Sequence, residues 1–382
     1  MRVVIAHDFM ETYGGAERVT EEMARAFPDA PVVAILGREE IARRMGVADR
    51  FRSLLPDRSP LLRHYRLLTP AFPTLVDRWR LPEADVVLSS SYAFAHRLRP
   101  RGEVTRVCYC HSPLRFAWSM TERYRDEWSG GATSGRAFEL LASAMRASDR
   151  AAADGVDRWL TQSPNVADQI ERFYGRDASV IGAPVDCERF HPSGRPPGDY
   201  FLFVGRLIEP YKQARLLLDA FRGLPGERLV IAGDGPAMAE LRDAAPGNVE
   251  FTGNLEDEAL VELMQGCRAT LFPSRDDFGL VPVEVMACGR PVIAFAGGGA
   301  RHTVVPGLTG SLVRAQTAEA FRGAVHRFRD DAWDPALIRE HALRWDAPVF
   351  RDRLVGAVQQ AFGSRLEPGV SSPAVAREAT LT

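Results

Sequence analysis

Residues 200–207 read Tyr200-Phe201-Leu202-Phe203-Val204-Gly205-Arg206-Leu207, an apolar run that stops at a glycine and is followed at once by a cation. A continuous apolar run of this kind is typical of a strand in a parallel sheet that is buried on both faces. Ligands bind beyond the carboxyl ends of such strands. The stretch therefore predicts an α/β fold with a binding loop that begins at Gly205.

Lys212 lies shortly after this strand and is the only lysine among 48 lysine and arginine residues. An ammonium group is a compact charge on a flexible stem, whereas a guanidinium is planar and forked. The retention of this one lysine suggests a position that needs the compact charge. Together with Arg206 it predicts a clamp for a diphosphate. The alternative is a surface lysine without a role in binding.

Apolar runs like residues 200–204 recur along the chain, with helical or loop segments between them. They cover residues 2–7, 32–36, 86–89, 104–109 and 159–162 in the first half and 201–204, 229–232, 249–252, 269–272 and 292–295 in the second. This alternation predicts two domains, each a doubly wound parallel sheet with helices on both faces. A length of 382 residues fits two domains of ordinary size.

A stiff segment rich in proline and glycine separates the two halves. It starts at Ala183-Pro184-Val185-Asp186 and ends with residues 193–198. The predicted domains are therefore residues 1–190 and residues 198–345. Residues 364–382 lose the periodic pattern and are predicted to form a disordered tail.

Charge and cysteine content exclude several classes of protein. A net charge of −2 argues against a nucleic-acid-binding protein, whose domains are usually strongly basic. The five scattered cysteines do not suggest a disulfide framework. Cys108, Cys110 and His111 lack a second pair of ligands, so no metal site is predicted there. No apolar run approaches the ~20 residues that span a bilayer and no signal peptide is evident, so a cytoplasmic location is expected.

Glycine-rich loops follow several of the predicted strands. Gly14 and Gly15 open the first helix, where free N–H groups can bind an anion. Residues 233–236 (Gly-Asp-Gly-Pro) and the three glycines at 297–299 end strands of the second half in the same manner. A glycine pair before a helix is by itself a weak signal, because it is more often only a tight turn.

Residues 276–284 read Asp-Asp-Phe-Gly-Leu-Val-Pro-Val-Glu. Pro282 suits the first position of a helix, so the amides of residues 279–281 are expected to point at an anion. Glu284 would lie in that first turn. There it either compensates the helix dipole or accepts hydrogen bonds from a ribose diol.

Five motifs in this order resemble family 4 of the retaining glycosyltransferases, and the resemblance runs from residue 2 to about residue 362. They are Gly14-Gly15-Ala16-Glu17, Pro184-Val185-Asp186 with Phe190 and Pro192, Gly205-Arg206-Leu207 with Lys212, Gly233-Asp234-Gly235-Pro236, and Phe278-Gly279-Leu280-Val281-Pro282-Val283-Glu284. The resemblance implies the GT-B fold, in which two Rossmann-like domains face a cleft. It also implies that residues 198–345 bind a nucleotide-sugar and that a C-terminal helix, residues 346–363, packs back on the first domain.

Residues 108–118 and 277–284 resemble, more narrowly, the bacterial mannosyltransferases of O-antigen and exopolysaccharide synthesis. That subgroup implies a hexosyltransferase with GDP-mannose as donor and a glycan, or a polyprenyl-diphosphate-linked glycan, as acceptor. A UDP-sugar donor, a non-catalytic nucleotide-sugar-binding subunit and an epimerase of the same fold are the alternatives. A dehydrogenase is not favoured, because Gly-x-Gly-x-x-Gly is missing after the first strand.

The resemblance also implies roles for single residues. Arg206 and Lys212 would hold the donor diphosphate, and Asp276 would contact the sugar or support the reaction face. His111 would hydrogen-bond a sugar hydroxyl, with action as a general base as the alternative. Donor binding is implied for Gly14, Gly15, Gly233, Gly235, Phe278, Gly279, Leu280, Val281 and Glu284, with Glu284 on the ribose.

Two positions depart from the family pattern. Asp276 and His302 stand where the family usually has glutamate, and both changes bear on the identity of the sugar more than on the reaction class. No carboxylate pair suggests the double displacement of retaining glycosidases. Front-face departure of the diphosphate is therefore expected, stabilised by protein cations and a helix end without a metal ion.

The segment from residue 58 to residue 80 suggests a peripheral contact with a membrane. Its arginines are interleaved with aromatic and aliphatic residues, a composition that can dock on an anionic bilayer. They are Arg58, Arg63, Arg66, Arg78 and Arg80. Such a contact would place the protein at the inner face of the plasma membrane, near a lipid-linked acceptor. The alternative is a solvated helix face with some core residues.

Overall fold

The computed structural model describes residues 1–55, 69–100, 102–128 and 132–366, and the chain forms two compact units. The first unit comprises residues 1–182 together with the chain from Phe350 onward, and the second comprises residues 183–349. Each unit is built on its own parallel sheet with helices in the connections. The predicted α/β class with two Rossmann-like halves is therefore confirmed.

The first unit contains a long parallel sheet. Its strands are β1 (Val3–Met10), β2 (Val32–Gly37), β3 (Phe51–Leu55), β4 (Arg80–Leu81), β5 (Val86–Ser91), β6 (Arg99–Pro100), β7 (Thr105–Cys110), β8 (Arg158–Thr161) and β9 (Ala178–Val180). Seven of them form one sheet in the order β3-β2-β1-β5-β7-β8-β9, and β4 pairs separately with β6. The chain order reverses between β1 and β5, which is where doubly wound folds bind ligands.

Helices of the first unit lie in the connections between these strands. They are α1 (Gly15–Ala26), α2 (Glu39–Arg44), α3 (Phe72–Arg78), α4 (Thr121–Trp128), α5 (Ala132–Ala153) and α6 (Pro164–Tyr174). Alternate residues of β1 enter different apolar clusters, with Val3 and Ile5 in one and Val4 and Ala6 in another. Since both faces of the strand are covered, its sequence is continuously apolar.

The second unit repeats this plan. Its strands are β10 (Tyr200–Val204), β11 (Arg228–Ala232), β12 (Val249–Gly253), β13 (Thr270–Phe272), β14 (Val292–Phe295) and β15 (Gly310–Val313), and its helices are α7 (Ala214–Arg222), α8 (Met238–Asp243), α9 (Asp257–Gly266), α10 (Leu280–Ala287), α11 (Ala300–Thr303), α12 (Ala318–His326) and α13 (Pro335–Ala342). The strand order is β12-β11-β10-β13-β14-β15. Phe201 and Phe203 enter one cluster and Leu202 another, which explains the apolar run of β10.

The last helix, α14 (Ala347–Leu366), continues from the second unit into the first. Phe350, Leu354 and Val358 are buried in the core of the first unit, so the predicted return of the C-terminal helix is confirmed. The helix extends to Leu366, beyond the predicted end at residue 363. The remainder of the predicted tail, residues 367–382, lies outside the described residues.

Residues 183–190 pack in the second unit, although the sequence assigns them to the first domain. Val185, Cys187 and Phe190 are buried in the core of the second unit. The prolines of this segment suggest a linker, but its apolar side chains pack against residues of the second unit that follow later in the chain.

About half of the predicted membrane patch, with Arg58, Arg63 and Arg66, falls outside the described residues, which resume at residue 69. In the described part, Arg78 and Arg80 are exposed. Phe72 is buried in the core, and Trp79 packs against the same cluster. These two aromatic side chains therefore belong to the interior of the first unit, whereas Leu75 is exposed together with the two arginines. Among the described residues, none of the helices combines the length and apolarity that a bilayer span requires.

Asp8, near the carboxyl end of β1, fixes the turn that follows β5. Its carboxylate is fully buried and accepts four backbone N–H groups. One oxygen accepts from Tyr92 and Ala93 at 2.6 and 2.7 Å, and the other from Phe94 and Ala95 at 2.6 Å each. A single side chain thus ties the two strands that flank the reversal point.

Replacement of Asp8 by asparagine should destabilise the first unit by about 3 kcal/mol or more, because an amide has only one acceptor oxygen and two buried N–H groups lose their partners. The measurement is amide hydrogen exchange in peptides from β1 and β5. The control is Asp154→Asn, at an exposed carboxylate of the same unit, which should change stability by less than about 0.5 kcal/mol. Equal exchange in Asp8→Asn and wild type would contradict this role.

Candidate active site

Lys212 and Asp276 meet at the point where the strand order of the second unit reverses. Lys212 lies in the loop after β10, and Asp276 lies in the loop after β13, the neighbouring strand. The Nζ of Lys212 is 2.5 Å from Oδ2 of Asp276. Both side chains are about one-fifth exposed, at 20% and 18%. The ion pair therefore lies where a ligand of a doubly wound sheet would bind, and it can be reached by one.

Arg206 provides a second cation in the same loop. Its side chain is exposed, and within the described parts of the chain its guanidinium makes no ion pair or hydrogen bond. Backbone hydrogen bonds hold the loop itself, from Leu207 to the Asp234 carbonyl at 2.9 Å and from Lys212 to the Ile208 carbonyl at 2.8 Å. A fixed loop thus carries one paired and one available cation.

Gly233 and Gly235 make this loop possible. A Cβ at Gly233 would collide with the carbonyl of Gly205, and a Cβ at Gly235 would collide with that of Leu207. Gly233 also has a φ of +130°, which side chains rarely adopt. The two glycines let the loop after β11 lie directly on the loop that carries Arg206. Direct contact of either glycine with a donor stays a prediction.

The start of α10 differs in detail from the sequence prediction. Gly279, with a φ of +86°, caps the helix, which begins at Leu280. Pro282 is thus the third helical residue, not the first. A proline is tolerated there because the first four N–H groups of a helix have no intrahelical acceptor. The amides of residues 279–281 lie at the start of this helix, and their binding of an anion stays a prediction.

Two residues assigned to donor binding lie mostly inside the protein. Phe278 is only 4% exposed and is part of the apolar core, with its ring 6.2 Å from that of Trp345. Glu284 is also 4% exposed, so a ribose could reach only a small part of its side chain. Phe278 therefore supports the loop from within. The ribose contact of Glu284 stays a prediction.

The glycines at 297–299 hold the backbone of Asp276. The Gly299 amide donates to the Asp276 carbonyl at 2.8 Å, and a Cβ at Gly298 would collide with that carbonyl. His302, at the second position that departs from the family pattern, is exposed on α11. The loops after β13 and β14 are therefore built against each other, and together they place the carboxylate of Asp276 beside Lys212.

In the first unit, Gly14 and Gly15 stand at the start of α1. Gly14 is the residue before the helix, and its amide donates to Oε2 of Glu17 at 3.0 Å. This amide therefore already has a partner within the protein. Glu17 belongs to the glycine motif, but no pattern in the sequence marked it as a site residue.

His111 directly follows β7 and is buried, with 7% of its surface exposed. Its Nε2 lies 2.8 Å from Oγ of Ser90, which is 3.0 Å from Nδ1 of His7. Sequence reasoning did not identify His7, Ser90 or the neighbouring Thr20. The sequence signal that could have identified His7 and Ser90 is a polar residue at the carboxyl end of each of two predicted apolar strands.

Burial keeps the His111 ring uncharged. Desolvation, followed by the nearby His7 and Arg115, lowers the pKa of His111 from 6.5 to about 3. A catalytic base works best with a pKa near the operating pH, so an imidazole with this pKa is poorly suited to proton abstraction. Hydrogen bonding to a hydroxyl suits it better, and the contact of His111 with a sugar hydroxyl stays a prediction.

The cysteines of the first unit, where the sequence predicts no metal site, belong to the apolar core. Cys108 and Cys110 are buried in an apolar cluster with Trp159. All five cysteines are buried and free of disulfides. Among the described residues, no group of three or more histidine, cysteine, aspartate or glutamate side chains is placed to hold a metal ion.

Both halves of the chain match models of protein families. The model described as Glycosyltransferase Family 4 matches residues 13–189, and the model described as Glycosyl transferases group 1 matches residues 198–331. The D-inositol 3-phosphate glycosyltransferase of Mycobacterium tuberculosis is 31% identical over 243 residues, which cover 55% of this chain and 50% of that enzyme. The chain thus spans about half the length of the curated relatives it matches.

Solved structures match this chain over most of its length. HepE of Anabaena in complex with UDP has a TM-score of 0.70 at 18% identity, covering 94% of this chain and 100% of HepE. Sucrose-phosphate synthase from Thermosynechococcus elongatus has a TM-score of 0.65 at 17% identity, covering 95% of this chain and 100% of that one. At such identities the likeness establishes the architecture alone.

The pKa of His111 can be tested directly. Because it is lowered to about 3, the ring should stay neutral throughout the range from about pH 4.5 to pH 8, whereas an ordinary histidine gains its proton near pH 6.5. The measurement is an NMR titration of protein labelled at its histidine side chains. His111→Gln identifies the resonance by removing it. A His111 midpoint near 6.5 would show that the ring is solvated.

Proposed function

We propose that the chain is a family 4 glycosyltransferase with the GT-B fold, which the matches of its two halves to glycosyltransferase family models support, and that it transfers a hexosyl group from a nucleotide-sugar to a hydroxyl acceptor with retention of configuration. The observation that carries the proposal is the cation site of the second unit. Arg206 and the Lys212–Asp276 pair lie at the reversal point of the sheet, next to loops that the family motifs build.

The chemistry that this site can supply is stabilisation of a departing diphosphate. Negative charge grows on the diphosphate as its bond to the anomeric carbon breaks, and preorganised positive groups lower the energy of that state. Arg206 is available for it. Lys212 is held in place by Asp276 at 2.5 Å before any ligand binds. The free amides at the start of α10 add a positive helix end.

The retaining step needs no carboxylate nucleophile. The acceptor oxygen bonds to the anomeric carbon on the face that the diphosphate leaves, and the acceptor proton passes to a diphosphate oxygen. Arg206, Lys212 and the helix end at α10 place positive charge next to the leaving group, so we propose that no divalent metal ion is required. The neutral ring of His111 is suited to accept a hydrogen bond from a hydroxyl of the sugar.

GDP-mannose is the donor that we propose first. The support is the resemblance of residues 108–118 and 277–284 to bacterial mannosyltransferases, which also suggests a lipid-linked or oligosaccharide acceptor in the synthesis of a surface polysaccharide. A UDP-sugar is the second candidate, because HepE has been solved with UDP-glucose. Asp276 is one methylene shorter than the usual glutamate. It bears on the choice of donor because it lies in the loop after β13, which we propose holds the donor.

A panel of nucleotides tests the donor and the reaction together. GDP and GDP-mannose should raise the melting temperature of the protein more than UDP and UDP-glucose do, and transfer from the better donor should give a product with the configuration of the donor sugar. Thermal shift and NMR of the product are the measurements. Transfer should persist in excess EDTA. Activity that is lost in EDTA and restored by magnesium would contradict the metal-free mechanism.

A non-catalytic nucleotide-sugar-binding subunit would give a different result in the same panel. It would show the thermal shift without transfer to any acceptor and without hydrolysis of the donor. An epimerase would interconvert the donor sugar in the absence of an acceptor. Either outcome would overturn the proposed transferase activity while leaving nucleotide binding intact.

Lys212→Ala should reduce transfer by about 100-fold or more, the range seen when one preorganised charge-stabilising group is lost. Lys212→Arg should also be poor, because a forked guanidinium cannot occupy the partly buried place of the ammonium beside Asp276. Steady-state transfer is the measurement. Arg242→Ala, at an exposed position on α8, is the control and should retain wild-type activity. Wild-type turnover in Lys212→Arg would refute the importance of the single lysine.

A further inference from the structure

A chain of buried polar side chains connects the start of α1 to the ring of His111 within the first unit. Its members are Glu17, His7 and Ser90, with Thr20 beside them. None of these residues, His111 included, is more than 7% exposed. Polar groups buried to this extent need hydrogen-bond partners. The positions of the few available protons can therefore be deduced from the donors and acceptors present.

Glu17 determines where the proton of His7 lies. Oε2 of Glu17 accepts from the Gly14 amide at 3.0 Å, and Oε1 lies 3.5 Å from Nε2 of His7. This Nε2 is buried and has no hydrogen-bond partner among the described residues. A carboxylate facing it favours the tautomer with the proton on Nε2. The other nitrogen of His7, Nδ1, is then an acceptor.

Ser90 transmits this constraint to His111. Its Oγ lies 3.0 Å from Nδ1 of His7 and 2.8 Å from Nε2 of His111. A serine hydroxyl has a single proton, and the unprotonated Nδ1 of His7 accepts it. The oxygen of Ser90 can then interact favourably with His111 only as an acceptor. This places the proton of the second ring on Nε2.

Among the described residues of this chain of side chains, Thr20 is the group that could reverse the direction of the hydrogen bonds. Its Oγ1 lies 3.0 Å from Nδ1 of His7 and 2.9 Å from Oγ of Ser90. If Thr20 donated to His7, Ser90 would be free to donate to His111. The hydroxyl of Thr20, however, also lies 2.9 Å from the carbonyl of Ala16, one turn earlier in α1, the usual acceptor for a threonine within a helix.

We propose that Glu17, His7 and Ser90 are positioning residues that hold His111 in the tautomer with its proton on Nε2 and a lone pair on Nδ1. Nδ1 of His111 makes no hydrogen bond to a described residue. The last step rests on the proposed function: the lone pair on Nδ1 accepts a hydrogen bond from a hydroxyl of the sugar substrate. A deoxy sugar at that position would leave Nδ1 unpaired.

The tautomer can be read without any substrate. Long-range proton–nitrogen NMR spectra of histidine-labelled protein distinguish a protonated from an unprotonated ring nitrogen, and His111→Gln assigns the signals. In wild type, His111 should carry its proton on Nε2. In Ser90→Ala, which lacks the acceptor, the two tautomers should mix. Ser89→Ala is the matched control, because Ser89 is the adjacent buried residue of β5 and bonds instead to the Val107 carbonyl.

Two further variants test the rest of the chain. Glu17→Gln should also mix the tautomers of His111, because an amide has one acceptor oxygen and cannot serve both the Gly14 amide and His7. It also keeps the proposal testable if Ser90→Ala fails to fold. Thr20→Val should leave the wild-type tautomer unchanged. A proton on Nδ1 of His111 in wild type, a reversal in Thr20→Val, or identical spectra for Ser90→Ala and wild type would overturn the proposal.

Activity separates the positioning role from the proposed function. Ser90→Ala should lower kcat for transfer about tenfold, the low end of the loss seen when the partner that orients a metal-binding histidine is removed, and Ser90→Thr should restore it by returning the hydroxyl. Altered spectra with unchanged transfer would overturn the sugar contact alone. If wild type transfers no sugar, the proposed function fails, while the spectra still decide the tautomer.

Discussion

A parallel strand can be joined to its neighbour only by a crossover that passes over one face of the sheet. In both units, the first strands along the chain are added on one side of the first strand and the later strands on its other side. The strand order therefore reverses once in each large sheet, next to β1 in the first unit and next to β10 in the second. The loops on the two sides of each reversal leave in opposite directions and open a space at the carboxyl ends of the strands. Gly14, Arg206, Lys212 and Asp276 lie in loops that leave from the strands at these two reversal points.

Close contact between backbones is what turns these loops into a site in the second unit. The loop after β11 lies on the loop after β10, and the loop after β14 lies on the loop after β13. A side chain at Gly233, Gly235 or Gly298 would prevent these contacts. The glycines that look like ligand contacts in the sequence therefore act first as spacers between loops. The packing of these loops brings Lys212 and Asp276 together.

The two units handle charge in opposite ways. In the second unit, the cations lie at the surface of the sheet edge, where Arg206 is exposed and the Lys212–Asp276 pair is accessible. Such groups can bind a phosphate without a large desolvation penalty in the free protein. In the first unit, the polar groups near His111 are buried, so their hydrogen bonds are fixed before any ligand arrives. One arrangement suits binding of a charged group and the other suits orientation of a neutral one.

In the first unit, one buried carboxylate outside the candidate site holds the turn next to it. Asp8 saturates both oxygens with four amides of the segment after β5. Ser90 lies at the end of that same strand, only two residues before the turn that Asp8 holds. The position of Ser90 between two histidines thus depends on a hydrogen-bond cluster that is not itself part of the site.

The sequence by itself determined ten of the fifteen described strands, the division into two similar halves and the loop with Arg206 and Lys212. The physical reason is local, since a strand buried on both faces must be apolar throughout and a tight loop must contain glycine. Only the tertiary structure decided that Lys212 pairs with Asp276, that Phe278 belongs to the core, and that His7 and Ser90 stand behind His111. Those contacts join residues far apart in the chain, and they follow from which strands become neighbours, which local pattern does not encode.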